Sequence, residues 1–163
     1  MNWTILGHSE RRQYYGEDSA LVASKTKLAL ETGLRVIACI GEKIEERESG
    51  RTNSVLESQL VPLGKALAEG QWADVVIAYE PVWAIGTGKV ATTQQAQETH
   101  AFIRKWLQGV SSNVSQRTRI IYGGSVTEKN SSELITQKDI DGFLVGGAAL
   151  KPAFIDIVAS TKK

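Results

Sequence analysis

Short, unbroken apolar runs separated by longer amphipathic stretches constrain this chain more than any other feature of it. The runs cover residues 3–6, 34–40, 75–79, 119–122 and 140–145. Several are rich in Val and Ile with no polar interruption, as suits strands buried on both faces. Between them, apolar residues recur at helical spacing: Leu21, Val22, Leu28 and Ala29, then Val55, Leu56, Leu60, Leu63 and Leu67, then Ala96, Ile103 and Leu107. Such a βαβα rhythm predicts an α/β fold with a parallel sheet and helical crossovers. The repeat is about thirty residues long. It yields five strand–helix units, closed by a last helix from Pro152 to about Ser160. No linker or low-complexity segment divides them, so residues 1–163 are expected to form a single domain. The pattern alone leaves open a doubly wound sheet or part of a barrel.

Glycines gather just after the runs, at Gly7, Gly41, Gly86, Gly88, Gly123, Gly124, Gly146 and Gly147. They mark tight turns and close backbone approaches at the C-terminal strand ends, the edge where parallel α/β proteins bind ligands. Glu80 stands at that edge, closing the run 75–79. Pro81, Val82, Trp83, Ala84, Ile85, Gly86, Thr87, Gly88 and Lys89 follow it, a short segment hinged by proline on one side and glycines on the other. One reading is a catalytic base with a lid attached, of the kind that excludes water from a charged intermediate. The other is an acidic residue opening an ordinary glycine-rich turn.

The first run ends in Gly7-His8-Ser9-Glu10-Arg11-Arg12, which places His8 at the same edge as Glu80. A carboxylate and an imidazole at one site suit proton transfer: one takes a proton from carbon while the other polarises an oxygen. A helix N-terminus disfavours positive charge, so a histidine there is expected to have a lowered pKa. The plainer alternative is a helix start with Ser9 as N-cap. Gly123-Gly124-Ser125 and Gly146-Gly147-Ala148 each follow an apolar run. Freed backbone N–H groups at such places suit a phosphate cradle, although tight turns without a ligand read the same way.

Composition narrows the remaining choices. Nineteen basic and eighteen acidic side chains give a formal net charge of +1. That balance points away from nucleic acid and from a polybasic membrane contact, so any bound anion needs a local site. A single cysteine, Cys39, rules out a disulfide within the chain and a cysteine-based metal cluster, and reads as a small buried hydrophobe. No His, Cys and carboxylate cluster has metal spacing, and no Gly-x-Gly-x-x-Gly follows a strand, so neither a metal nor a dinucleotide is expected. No stretch has membrane-spanning length and no signal peptide is visible, which favours a reducing, cytoplasmic setting. His100 reads as structural, Trp72 and Trp106 as packing residues, and Trp83 as an indole able to hold the lid's hinge against the scaffold.

Taken together, these segments resemble the triosephosphate isomerase family. The resemblance is carried by Leu6-Gly7-His8-Ser9-Glu10-Arg11-Arg12, Ala38-Cys39-Ile40-Gly41-Glu42, Ala78 through Lys89, Tyr122-Gly123-Gly124-Ser125, and Gly142-Phe143-Leu144-Val145-Gly146-Gly147-Ala148. It implies a TIM (β/α)8 barrel, truncated here to about five βα units that correspond to strands four to eight of the family. It also implies interconversion of dihydroxyacetone phosphate and glyceraldehyde 3-phosphate through an enediol, in glycolysis and gluconeogenesis, with no cofactor. Glu80 resembles the base and His8 the neutral electrophile, with Ser9 and Glu10 supporting them. The pairing of carboxylate base, neutral histidine and closing loop is a well-known feature of this enzyme. Residues Pro81 through Lys89 resemble the lid, and Gly86, Ser125, Gly146 and Gly147 the phosphate contacts.

The family's first three units, whose first loop carries an asparagine and a lysine of the active site, have no counterpart here. Lys89 and Lys151 belong to other family positions and are not expected to replace that lysine. The loop that docks the family's homodimer is missing too. An open barrel has two sheet edges and an uncovered inner face. The chain is therefore expected to self-associate or to require a complementing N-terminal fragment, and the alternative function is an inactive or weakly active barrel fragment.

Overall fold

Four of the five apolar runs form strands, and they pair in the order in which they occur. The computed structural model describes residues 2–85 and 90–162. Its strands are β1 (Trp3–Leu6), β2 (Arg35–Ile40), β3 (Val75–Tyr79) and β4 (Ile120–Tyr122), all parallel, in the order β1-β2-β3-β4. The fifth run is not a full strand. Phe143 makes a single parallel bridge to Tyr122, where the Tyr122 N–H donates to the Gly142 carbonyl and the Leu144 N–H to the Tyr122 carbonyl, each at 2.9 Å. Among the described residues this segment has β4 on one side only, and one short pairing does not extend into a ladder.

The strand order settles the architecture that the pattern left open. A doubly wound sheet reverses its order at a switch point. Here each strand lies beside the next in chain order. Right-handed crossovers repeated in one sense put the crossover helices on the same side, which is the geometry of a barrel segment.

Two helices, α1 (Ser9–Tyr15) and α2 (Ser19–Glu31), join β1 to β2. The next pair, α3 (Ile44–Glu48) and α4 (Thr52–Ala66), leads through a 3-10 turn at Glu69–Asp74 to β3. Then α5 (Thr93–Val110) and α6 (Ser112–Arg117) precede β4, and α7 (Ser131–Leu134), a 3-10 turn at Gly147–Leu150 and α8 (Phe154–Ser160) follow it. Local chemistry sets several of these starts. The Asp18 side chain accepts the Leu21 N–H at 2.8 Å, opening α2. Thr92 and Gln95 form a reciprocal capping box that opens α5.

The core lies between the sheet and the helices. Leu56, Leu60 and Leu63 of α4 and Ala96, Ile103 and Leu107 of α5 join Val36, Ala38, Ile40, Ile77, Tyr79, Ile120 and Tyr122 there, none more than 1% exposed. Trp72 is sealed in the same core, its ring 6.4 Å from that of Trp106. Alternation along the strands turns Ile5, Ile37, Val76 and Ile121 to the opposite face. That face is only partly covered: Ile5 is 48% exposed, and a cavity of about 500 Å³ lies between Ile37, Val76 and Ile121 and the α8 residues Phe154, Ile157 and Val158.

Candidate active site

The C-terminal strand ends deliver a carboxylate and an imidazole to one point. Glu80 is held in the ladder beyond β3, its N–H donating to the Ile40 carbonyl at 2.7 Å, and its side chain is 2% exposed. A Cβ on the neighbouring Gly41 would sit 1.7 Å from the Glu80 carbonyl oxygen, so only glycine lets β2 pass this close. Gly7, at φ +72°, turns the chain out of β1 and sets His8 as the N-cap of α1. His8 Nε2 then lies 2.9 Å from Glu80 Oε1, while the Ser9 N–H donates to Glu80 Oε2 at 3.0 Å.

Two contacts act on the His8 ring. The Glu10 N–H donates to Nδ1 at 3.3 Å, which leaves the proton of the neutral ring on Nε2, the atom that meets Glu80. The Glu80 hydrogen bond raises the His8 pKa above 6.5; partial burial opposes that rise, and the charges of Glu80 and Glu10 add to it. The lowering expected from the helix start is therefore reversed, because a carboxylate in direct contact outweighs the partial charges of one helix end. Ser9 is also not the N-cap: it is the first helical residue, buried, and acts through its N–H. The Glu10 carboxylate is 72% exposed and 4.0 Å from Nδ1, so it touches the ring's far side and not the cleft.

A cleft of about 600 Å³ opens over this pair. His8, Glu80 and Ile85 line it together with Ser125, Gly146 and Gly147, so the two glycine pairs and the His8–Glu80 pair share one space. Lys151 lines it as well, although its sequence position suggested no place there. No signal in the sequence placed it there, because the Gly147–Leu150 turn that carries it to the cleft is visible only in the fold.

The segment after Glu80 begins with a 3-10 turn at Val82–Ala84. It is tied down at both sides, by the Ser125 hydroxyl donating to the Ala84 carbonyl at 2.7 Å and by the Val82 N–H donating to the Glu42 carbonyl at 3.1 Å. The expected lid positions Gly86, Thr87, Gly88 and Lys89 lie outside the described residues.

Sequence reasoning missed the weight of Glu42. It repeats the Glu80 pattern, a carboxylate at a strand end, yet its surroundings differ. Glu42 is fully buried, and its Oε1 accepts from Arg47 Nη1, the Tyr79 hydroxyl and Trp83 Nε1, each at 3.0 Å. The Arg47 guanidinium also lies 5.3 Å from the Trp83 ring centroid. Glu42 thus anchors the turn that follows Glu80, whereas Glu80 faces the cleft. His100 lies behind the sheet, its Nδ1–H donating to the Asp139 carbonyl at 3.0 Å, and burial pushes its pKa down to about 4. Among the described residues, no three His, Cys, Asp or Glu side chains gather as a metal site.

The family model for triosephosphate isomerase matches residues 1–161. The chain is 62% identical over 159 residues to the triosephosphate isomerase of Emericella nidulans, covering 97% of this chain and 64% of that protein. It is 61% identical to the same enzyme of Aspergillus oryzae, covering 96% of this chain and 62% of the relative. For that of Coprinopsis cinerea the identity is 60%, over 98% and 64%. The chain therefore spans just under two thirds of the length of the curated relatives it matches. The match along nearly the whole chain agrees with the barrel-segment sheet and the paired His8 and Glu80, and this chain belongs to the triosephosphate isomerase family.

Proposed function

We propose that this chain carries the proton-transfer pair of a triose-phosphate isomerase, interconverting dihydroxyacetone phosphate and glyceraldehyde 3-phosphate through an enediol without a cofactor. The observation that carries the reading is the 2.9 Å contact between His8 Nε2 and Glu80 Oε1 at the mouth of a cleft that Gly146 and Gly147 also line. Glu80 takes a proton from the carbon beside the carbonyl and returns it to the adjacent carbon. His8 donates its Nε2–H to the substrate oxygens, a role its tautomer suits because Nδ1 already accepts from the Glu10 N–H.

A substrate entering between the two side chains replaces their mutual contact. That removes the largest cause raising the His8 pKa, and the ring becomes easier to keep neutral. The phosphate sits at the Ser125, Gly146 and Gly147 end of the cleft. Closure of residues 81–89 keeps the enediol phosphate away from water. A cytoplasmic setting and a glycolytic role go with this reading. No helix of the described residues is long and apolar enough to cross a membrane.

The test is conversion of glyceraldehyde 3-phosphate to dihydroxyacetone phosphate by the purified chain, with Glu80→Gln beside it. Loss of at least about 100-fold in turnover is expected for the variant. Equal turnover in both proteins overturns the assignment of the base.

A second reading rests on a separate observation. The sheet's open face, with Ile5 48% exposed, fits a chain that needs a second copy or a complementing fragment to assemble a working site. The relatives are longer by more than a third of their own length, which supplies material for such a fragment. Turnover that appears only on adding the N-terminal third of a relative would favour this reading, and turnover unaffected by that addition would overturn it.

A further inference from the structure

We propose that Lys151 is the positively charged group that positions the substrate's phosphate in this chain; this rests on the phosphate cleft of the proposed function. The cleft bears one carboxylate, Glu80, and must accept a dianion beside it. Among the described residues lining it, Lys151 is the one lysine or arginine. It also makes no ion pair with any described residue, whereas the arginines nearest the site are engaged elsewhere. Arg12 donates to the Gly7 and Cys39 carbonyls and to Ser19 Oγ, Arg11 pairs with Glu17, and Arg47 pairs with Glu42.

The backbone fixes where this ammonium starts. The Lys151 N–H donates to the Ala148 carbonyl at 3.1 Å, closing the 3-10 turn at Gly147–Leu150. Pro152 holds the residue before it in extended backbone, and Lys151 has φ −108° and ψ 148°. Ala148 and Lys151 both line the cleft beside Gly146 and Gly147, while Leu150 between them is 90% exposed. The four-carbon stem therefore rises from the phosphate end of the cleft, and the charged head is free to reach an anion held there. A lysine acts on phosphate as a mobile point charge, so its contribution is charge attraction rather than fixed geometry.

The experiment titrates inorganic phosphate into the chain, Lys151→Gln and Lys151→Arg, following the backbone amide resonances of Gly146 and Gly147. The Gln variant is expected to bind phosphate about three- to fivefold more weakly and to lose part of the salt dependence of binding. The Arg variant is expected to restore both, which a merely structural loss would not allow. Unchanged amide spectra outside the cleft establish that each variant is folded. Equal phosphate affinity and salt dependence in the chain and the Gln variant would overturn the role of Lys151 while leaving the cleft as the phosphate site. Phosphate that shifts neither glycine amide in the unmodified chain would overturn the cleft reading, and the role of Lys151 with it. In the isomerase assay, Lys151→Gln is expected to raise KM more than it lowers kcat, unlike Glu80→Gln.

Discussion

The two faces of the sheet carry similar side chains and have different fates. Toward the helices, Val36, Ala38, Ile40, Ile77 and Ile120 are sealed at 1% exposure or less. Toward the opposite side Val76 is buried too, yet Ile5 is 48% exposed and Ile37 and Ile121 are only half-buried. All are aliphatic residues on parallel strands, so propensity does not separate them. What separates them is the extent of the covering surface: α2, α4 and α5 seal one face, while among the described residues the other meets only part of α8, whose Phe154, Ile157 and Val158 line the same cavity as Ile37, Val76 and Ile121. Stability therefore resides on the covered face, and association, if the chain associates, on the open one.

The largest effect that tests this contrast is Ile77→Ala, which empties a fully buried site. It is expected to cost about 3 kcal/mol in urea denaturation. A loss no greater than that of an open-face substitution would erase the distinction between the faces.

Acid titration probes the covered face a second way. The folded pKa of His100 is about 4, below the ordinary 6.5, so between those values the unfolded chain binds more protons and stability falls as pH falls. The full loss, reached below pH 4, is about 3 kcal/mol. His8 at the cleft has the opposite sign: its raised pKa gives stability that is present below 6.5 and lost as pH rises through the folded value. Histidine C–H resonances followed with pH are expected to titrate above 6.5 for His8 and near 4 for His100. Two histidines titrating together near 6.5 would contradict both placements. Replacing Glu80 by Gln is expected to lower the His8 value, since Glu80 is the main cause of its rise.

On the open face the expected losses shrink. Ile37→Ala, at a half-buried position, is expected to cost about 1 kcal/mol. Ile5→Lys is expected to change stability by no more than about 0.5 kcal/mol, yet to reduce self-association measured by sedimentation velocity. Association untouched by that charge would remove this face as the contact.

Much of the fold was legible in advance. Unbroken Val- and Ile-rich runs, the helical spacing of Leu56, Leu60 and Leu63, and the glycines closing each run led to a parallel α/β sheet with a ligand edge. Glu80 and His8 were legible as well, because each stands at a strand end where the pattern breaks. The run at residues 140–145 misled, since a strand needs neighbours and the sequence pattern does not supply them. The His8 pKa misled for a related reason: the helix start is local and visible, whereas the carboxylate that overrides it is contributed from residue 80.

The sequence by itself determined which residues stand at strand ends, which turns require glycine, and which family the chain resembles, because these depend on near neighbours and on motif. Only the tertiary structure decided that Glu42 anchors while Glu80 faces the cleft, that Lys151 lines that cleft beside Gly146 and Gly147, and that one sheet face is sealed and the other only partly covered. Those outcomes follow from charge, burial and contact between segments tens of residues apart, and such interactions exist only once β1, β2, β3 and β4 lie side by side.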